Sequence, residues 1–359
     1  QDESQTFFDQ LLAFRRSPSY RVRLREPGSV FGDRLQSLLS EASKAYLGHA
    51  EKCDEADAKA ALRILSRQCR VLAGHIADAL SLADFDAVVF IEEDNGRAAM
   101  VCKPITVAER LRNDLFEGYP SVILTSATLS VGGRFEHIRR ELGLDVATEF
   151  VARSPFDFRR QALLVVPDGM PQPTEQGFGE AVADTVAQVV DLAEGRTLGL
   201  FTSYRNLRLA QERLSGCEYP VFCQGDAPRA TLTRTFREDV RSVLLGTESF
   251  WTGVDVPGEA LSCVVIDRLP FPTPDDPVLD AITERDRNWF STYSLPRAVI
   301  AFKQGFGRLI RATGDRGVVV LLDRRIITKP YGRLFVDSLP DVLKSCDLRH
   351  VRKFLSEAA

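Results

Sequence analysis

Two periodicities divide the chain. From residue 34 to about 82 the apolar positions follow the 3.6-residue helical repeat, first at Leu35, Leu38, Leu39, Ala42 and Tyr46, then at Leu62, Leu65, Cys69, Leu72 and Ile76. This pattern predicts a helical hairpin. Runs 88–91 and 98–101 then read as strands, and Asn95-Gly96 between them accepts the positive φ angles of a tight turn, so a β-hairpin is expected. From about residue 121 the texture changes. Short apolar runs at 122–125, 162–166, 198–201, 221–223, 243–245, 263–266 and 318–322 alternate with helical stretches such as 180–193 and 204–214. Near-continuous apolar strands separated by helices predict an α/β fold with a parallel sheet covered on both faces. Ligands of such sheets bind beyond the carboxyl ends of the strands.

The polar segments gather where that rule expects them. Run 122–124 leads into Thr125-Ser126-Ala127-Thr128, run 198–201 into Thr202-Ser203-Tyr204, and run 243–245 into a segment holding Thr247, Ser249, Trp251, Gly253 and Asp255. Hydroxyls and free N–H groups there suit phosphate oxygens, although Ser and Thr cap helices as readily. Residues 304–311 read QGFGRLIR, with Pro296 able to start a helix and Gly314 able to end it. On such a helix Arg308 and Arg311, three apart, share one face. Two guanidiniums on one face make a fork for phosphate; a solvated basic face fits the same spacing.

In order and number these segments resemble the C-terminal half of a superfamily 2 helicase of the DinG/XPD type. SVILTSATLS (121–130) is similar to that family's motif III, LGLFTSY (198–204) to motif IV and VLLGTESFWTGVDVPGEAL (243–261) to motif V. RLPFPTPDDP (268–277) is similar to the segment that follows motif V, and QGFGRLIR to motif VI. The resemblance spans about residues 103–338 and reaches back more loosely over 1–102. It implies a RecA-like parallel sheet covered by helices, preceded by a mainly helical Arch-like region. The implied division is an Arch-like part with a β-hairpin at 1–102, the end of a first RecA-like domain with the crossover at 103–150, and a second RecA-like domain at 151–359.

The resemblance also implies roles. Arg311 is the expected arginine finger and Arg308 its companion, stabilising charge in phosphoryl transfer. Gln304 would help orient the nucleotide side. Gly253 and Asp255 would link the nucleotide to the bound strand, and Ser126 and Thr128 would couple the two. Thr202, Ser203, Thr247 and Ser249 would hold phosphates of single-stranded DNA. Trp251 suits base stacking and suits burial in a core equally. Thr252 stands where many members carry Glu.

What is absent changes the picture as much. No Gly-Lys pair occurs, so the family's P-loop is missing from this chain. The chain begins at Gln1 and its first methionine is Met100, which suggests a fragment or processed piece whose missing part holds the first RecA-like domain. ATP and Mg²⁺ would be shared with that domain, and the fragment alone is expected not to hydrolyse ATP at a helicase-like rate. The complete protein is expected to be an ATP-driven 5′→3′ DNA helicase acting on single-stranded and forked or looped DNA, in repair or replication. The alternatives are a non-catalytic nucleic-acid-binding or regulatory RecA-like module and, for 1–102, a protein-docking surface.

Composition adds a few limits. Seven cysteines form no C-x-x-C pair and four histidines show no ligand spacing, so no metal site is expected, and an iron–sulfur cluster would belong to the missing part. Scattered, odd-numbered cysteines fit a reduced, cytoplasmic setting, and no apolar run is long enough to span a bilayer. A net charge of −4 leaves room for a local basic patch only. One candidate is the basic stretch 15–25 around Tyr20, as a contact for a nucleic-acid backbone or as a solvated helix end and loop. Asp54-Glu55-Ala56-Asp57 spells a well-known ATPase box, but the preceding residues cannot form the apolar strand such a box requires.

Overall fold

The computed structural model describes residues 2–13, 21–26, 32–81, 86–94, 97–251, 256 and 258–356. They fall into two compact units: residues 1–120, 141–143 and 272–289, and residues 121–140, 144–271 and 290–359. Residues 272–289 pack with the N-terminal unit, and residues 121–140 pack with the body that follows.

In the first unit the expected hairpin is present, as helices Asp33–Lys52 and Ala56–Ser81. Its seam is built from small residues. Ser43 and Ser66 are buried, and each hydroxyl donates to the other's carbonyl at 2.8 Å. Ala50 and Ala73 are buried as well. Asp54 and Glu55 lie exposed in the connection between the helices, consistent with rejecting an ATPase box there. Three antiparallel strands follow in the order β1 (Arg21–Arg23), β2 (Ala87–Asp94) and β3 (Arg97–Pro104). Asn95-Gly96 lies outside the described residues.

Period-two alternation covers both faces of β2. Val89 and Ile91 pack with Phe7, Leu11 and Leu24, while Val88 and Phe90 pack with Ala281 of helix Pro277–Arg285. Strand β1 escapes sequence patterning because one valine between two arginines carries no apolar signal. Its arginines are matched by carboxylates instead. Arg21 pairs with Glu92 at 2.9 Å, Arg23 with Asp280 at 3.1 Å and Glu284 at 2.9 Å, and Arg25 with the same two acids. The described part of the basic stretch is therefore largely neutralised, and residues 14–20 lie outside the described set.

In the second unit, seven strands form one parallel sheet. They are β4 (Ala162–Val165), β5 (Thr197–Leu200), β6 (Val221–Cys223), β7 (Val243–Gly246), β8 (Cys263–Ile266), β9 (Gly317–Leu321) and β10 (Leu343–Ser345), in the order β10-β4-β9-β8-β5-β7-β6. Alternate side chains enter two cores. Leu164, Leu198, Leu200, Leu244, Val264, Ile266 and Val319 face one; Leu163, Val165, Leu245, Val265, Val318 and Val320 face the other. Burial on both sides is why these strands read as unbroken apolar runs.

In this unit the strand expectations differ from the structure at two places. Run 122–125 is not a strand: it pairs with no strand among the described residues, and Ile123 is 87% exposed. Apolar residues make a strand only when a neighbouring backbone supplies the ladder. Conversely, β10 was not expected, because Leu-Lys-Ser at a sheet edge carries no apolar run.

Candidate nucleotide-facing loop and strand-end site

Arg308 and Arg311 do not sit on a helix, contrary to the expectation of a helix running to Gly314. Helix Leu295–Phe306 stops one residue before Gly307, whose N–H donates to the Lys303 carbonyl at 2.8 Å. Two glycines, Gly305 and Gly307, weaken the helix there, and Leu309 and Ile310 turn into the core at 3% and 6% exposure. Gly305 packs closely on the core: a Cβ at that position would lie 3.2 Å from the Trp251 ring.

The loop after the helix is fastened from two sides. The Asp315 carboxylate accepts the N–H groups of Arg311 and Ala312, both at 2.8 Å. The buried Gln161 amide lies 3.0, 3.2 and 2.9 Å from the carbonyls of Ala312, Thr313 and Asp315. Arg308 Nη2 donates to the Trp251 carbonyl at 2.7 Å, and Arg311 Nε to the Arg308 carbonyl at 3.4 Å. Burial holds both guanidinium pKa values below the ordinary arginine value. The Arg229 charge adds to this for Arg308, while Asp315 opposes it for Arg311. A half-buried cation repelled by another, as Arg308 is by Arg229, gains from an anion brought beside it.

All seven strands being parallel, their carboxyl ends share one edge, and polar residues tie that edge together. Gln224, just after β6, accepts the Thr247 N–H at 2.7 Å and hydroxyl at 3.0 Å through Oε1, and donates to Tyr204 Oη at 2.7 Å through Nε2. Asp267, just after β8 and 1% exposed, accepts the Thr202 N–H at 2.8 Å, the Thr202 hydroxyl at 3.3 Å and Asn206 Nδ2 at 2.8 Å. Burial pushes the Asp267 carboxyl up to about 6, against the pull of these hydrogen bonds and of Arg268. Asp323, beyond β9 and wholly buried, accepts the Leu269 N–H at 2.9 Å and binds Arg325 with its shortest contact at 2.6 Å. In the 125–130 segment, Ser126 Oγ accepts the Thr128 N–H at 3.2 Å and lies 3.3 Å from the Thr128 hydroxyl. Lys303 Nζ, its pKa lowered by burial, donates to the Ser130 carbonyl at 2.8 Å.

Comparison with known proteins converges on one family. The family model "Helicase C-terminal domain" matches residues 186–342. The ATP-dependent DNA helicase YoaA of Haemophilus influenzae is 39% identical over 269 residues, covering 73% of this chain and 42% of the relative. The ATP-dependent helicase DinG of Mycobacterium tuberculosis is 41% identical over 295 residues, covering 78% of this chain and 44% of the relative. A Bacillus subtilis relative named 3′-5′ exonuclease DinG is 38% identical, covering 72% of this chain and 30% of the relative. A solved XPD helicase structure matches 96% of this chain and 62% of its own length at a TM-score of 0.63 and 19% identity, which speaks to the fold alone. The chain belongs to the DinG/XPD-type helicases. It spans less than half the length of these curated relatives.

In this DinG/XPD-type chain the structure sorts the expected site residues. Trp251 is 5% exposed, packs in the main core and donates Nε1 to the Phe201 carbonyl at 3.4 Å, so the buried alternative holds and no ring face is left for a base. The Thr202 and Thr247 hydroxyls donate to Asp267 and Gln224, so here they brace strand ends and do not point a proton at a ligand. Ser203 caps helix Tyr204–Arg213 by accepting the Asn206 N–H, which leaves its own proton for another acceptor. Ser249 is exposed, and Gln304 is half-buried in the last helical turn. Gly253 and Asp255, with Thr252, lie outside the described residues.

Sequence reading passed over Gln161, Gln224, Asp267, Asp315, Arg229 and the exposed ring of Tyr204. Asp267 and Gln224 carried a usable signal: each is the first polar residue after an apolar strand run. Gln161 carried none, because its partners are carbonyls about 150 residues away.

Proposed function

We propose that this chain is the part of an ATP-dependent DNA helicase that brings an arginine finger to the nucleotide, completed by a P-loop-bearing lobe that it does not contain. The observation that carries this reading is the Arg308–Arg311 loop. Asp315 and Gln161 fix its backbone, and Arg229 lies close enough to Arg308 for their charges to repel. A γ-phosphate brought there would relieve that repulsion. In the phosphoryl-transfer transition state, Arg311 would neutralise charge developing on the transferred group, with Arg308 beside it. Mg²⁺, held on the phosphates by the P-loop-bearing lobe, would neutralise charge there as well.

Single-stranded DNA would run along the carboxyl edge of the sheet, where Ser203, Ser249 and the backbone N–H groups meet its phosphates. Tyr204, 52% exposed, takes over the stacking role expected of Trp251. Gln224 joins Tyr204 to Thr247, and Lys303 joins the motif VI helix to the motif III segment, giving nucleotide and strand a shared scaffold. Translocation with 5′→3′ polarity, and a role in repair or replication, belong to the proposal through the family resemblance.

The test is Arg311→Ala in the complete protein, assayed for DNA-stimulated ATP turnover. Turnover should fall by roughly 10³–10⁵-fold, the range of known arginine fingers, while DNA affinity stays within about twofold, because the substitution leaves the strand-end edge intact. Near-normal turnover would overturn the assignment.

A further inference from the structure

Helix Ala56–Ser81 carries a run of positive charge that the proposed nucleotide and strand contacts do not use. Between Asp57 and Asp78 it has no acidic residue, yet it holds Lys59, Arg63, Arg67 and Arg70. Their spacings of four, four and three residues align them along one stripe. The stripe runs along the flank of the hairpin seam, beside the buried Ser66 and Ala73. Arg63, Arg67 and Arg70 are exposed, and none of the four takes part in an ion pair among the described residues. The contrast within the same unit is direct, since Arg21, Arg23, Arg25 and Arg285 are each matched to a carboxylate.

A second feature lies on the same line. Gly74 follows Arg70 by four residues, and a Cβ added there would meet nothing within 4 Å. A glycine inside a helix weakens it, and packing gives no reason for this one. It leaves the surface bare at the end of the stripe, where another backbone could approach closely.

We infer that this stripe is a binding surface for the sugar-phosphate backbone of DNA, separate from the contacts at the sheet edge. Arginine forks suit phosphate oxygens. From Lys59 to Arg70 the helix rises about 16 Å, a length over which one strand of B-form DNA presents about five phosphates. Three exposed guanidiniums without an ion pair over that distance match a polyanion in charge and spacing, and the flanking Ile64 and Val71, at 57% and 44% exposure, offer apolar contact to sugars. The inference rests on the helicase reading for its choice of polyanion but not on the finger assignment.

The experiment compares the complete protein with its R63Q/R67Q/R70Q and R63K/R67K/R70K forms. Binding of a fluorescently labelled single strand, and of the same sequence as a duplex, is followed by anisotropy across a salt series. With glutamine, the slope of log affinity against log salt should become shallower by about 2 for the single strand or about 3 for the duplex. Low-salt affinity should drop about tenfold or more, while lysine should keep most of the slope. Which probe responds identifies the form of DNA bound. Unchanged slopes for both probes would overturn the inference and leave an acidic protein as the partner of this face. That result, together with turnover lost in Arg311→Ala, would leave the helicase reading standing. Shallower slopes together with normal turnover in Arg311→Ala would remove the finger and leave the stripe.

Discussion

The carboxyl edge of the parallel sheet and the helical hairpin solve opposite problems with polar side chains. At the sheet edge, Asp267 and Asp323 are buried and Gln224 is tied at both ends, each serving to hold one strand end to another. On the hairpin the seam is made of small residues and the charges stand outside, unmatched. A buried polar group is tolerated only with its partners in place. The edge therefore has little freedom to change and holds a fixed shape for whatever lies across it. The hairpin surface can change its charges at little cost in stability, so what those charges do must be sought in binding.

The sharpest way to break this comparison is at Asp323. Replacing it with alanine removes the acceptor of the Leu269 and Arg325 backbone N–H groups and the wholly buried carboxylate partner of the Arg325 guanidinium, which keeps Tyr331 and the Phe271 ring. Removing one member of a buried ion pair costs about 3–5 kcal/mol. The lower end is expected here, because Arg325 keeps 26% of its surface in solvent. Urea unfolding of Asp323→Ala should show that loss with an unchanged m-value, whereas R63Q/R67Q/R70Q should lie within about 0.5 kcal/mol of the parent per site. Similar losses in both would show the edge to be no more demanding than an ordinary surface.

A pH series tests the same edge through Asp267. Its carboxyl stands near 6 in the folded chain against an ordinary value of 3.8. The folded state thus holds this proton more tightly than the unfolded chain does. The resulting stabilisation is complete below about pH 4 and is lost as the pH rises through 6. Its size is on the order of 3 kcal/mol at most, because each tenfold difference in proton affinity between the two states is worth about 1.4 kcal/mol. The stability of the parent minus that of Asp267→Asn should therefore fall between pH 4 and 7 and level off above that. Parallel stability curves for the two proteins would mean that Asp267 is not buried as the structure has it.

Legibility in the sequence followed the same divide. Hydrophobic period revealed both the hairpin and six of the seven parallel strands, because burial on one stripe or on two faces leaves a direct trace in residue order. It failed for run 122–125, whose apolar residues find no ladder partner, and for β1 and β10, which are held by ion pairs or by a sheet edge. At the site, motif order singled out Arg308 and Arg311 but not their setting. Helical spacing suggested a fork, whereas the structure reaches its arrangement through a loop clamped by Gln161 and Asp315. Thr202, Thr247 and Trp251 were visible as residues of the right chemistry. What order alone could not convey was that Asp267, Gln224 and Gly305, distant in sequence, would turn all three inward.

The smallest expected effect belongs to the hairpin seam. Ser43 and Ser66 lie with their hydroxyls 3.1 Å apart, and each also reaches the other's carbonyl. Unlike the edge carboxylates, these two groups satisfy each other and nothing else. Either single alanine removes one hydroxyl–carbonyl bond and the hydroxyl–hydroxyl contact, while the remaining serine still donates to the backbone carbonyl opposite, and should cost about 1 kcal/mol. The hydroxyl–hydroxyl contact is lost in either single and can be lost only once, so the double alanine should lie closer to the parent than the sum of the singles, by a coupling of about 0.5 kcal/mol or more. Thermal unfolding of the four proteins measures that coupling. Strict additivity would mean that the seam is held by helix contact alone and that the serine pair adds nothing, and the contrast with the sheet edge would then rest entirely on Asp267, Asp323 and Gln224.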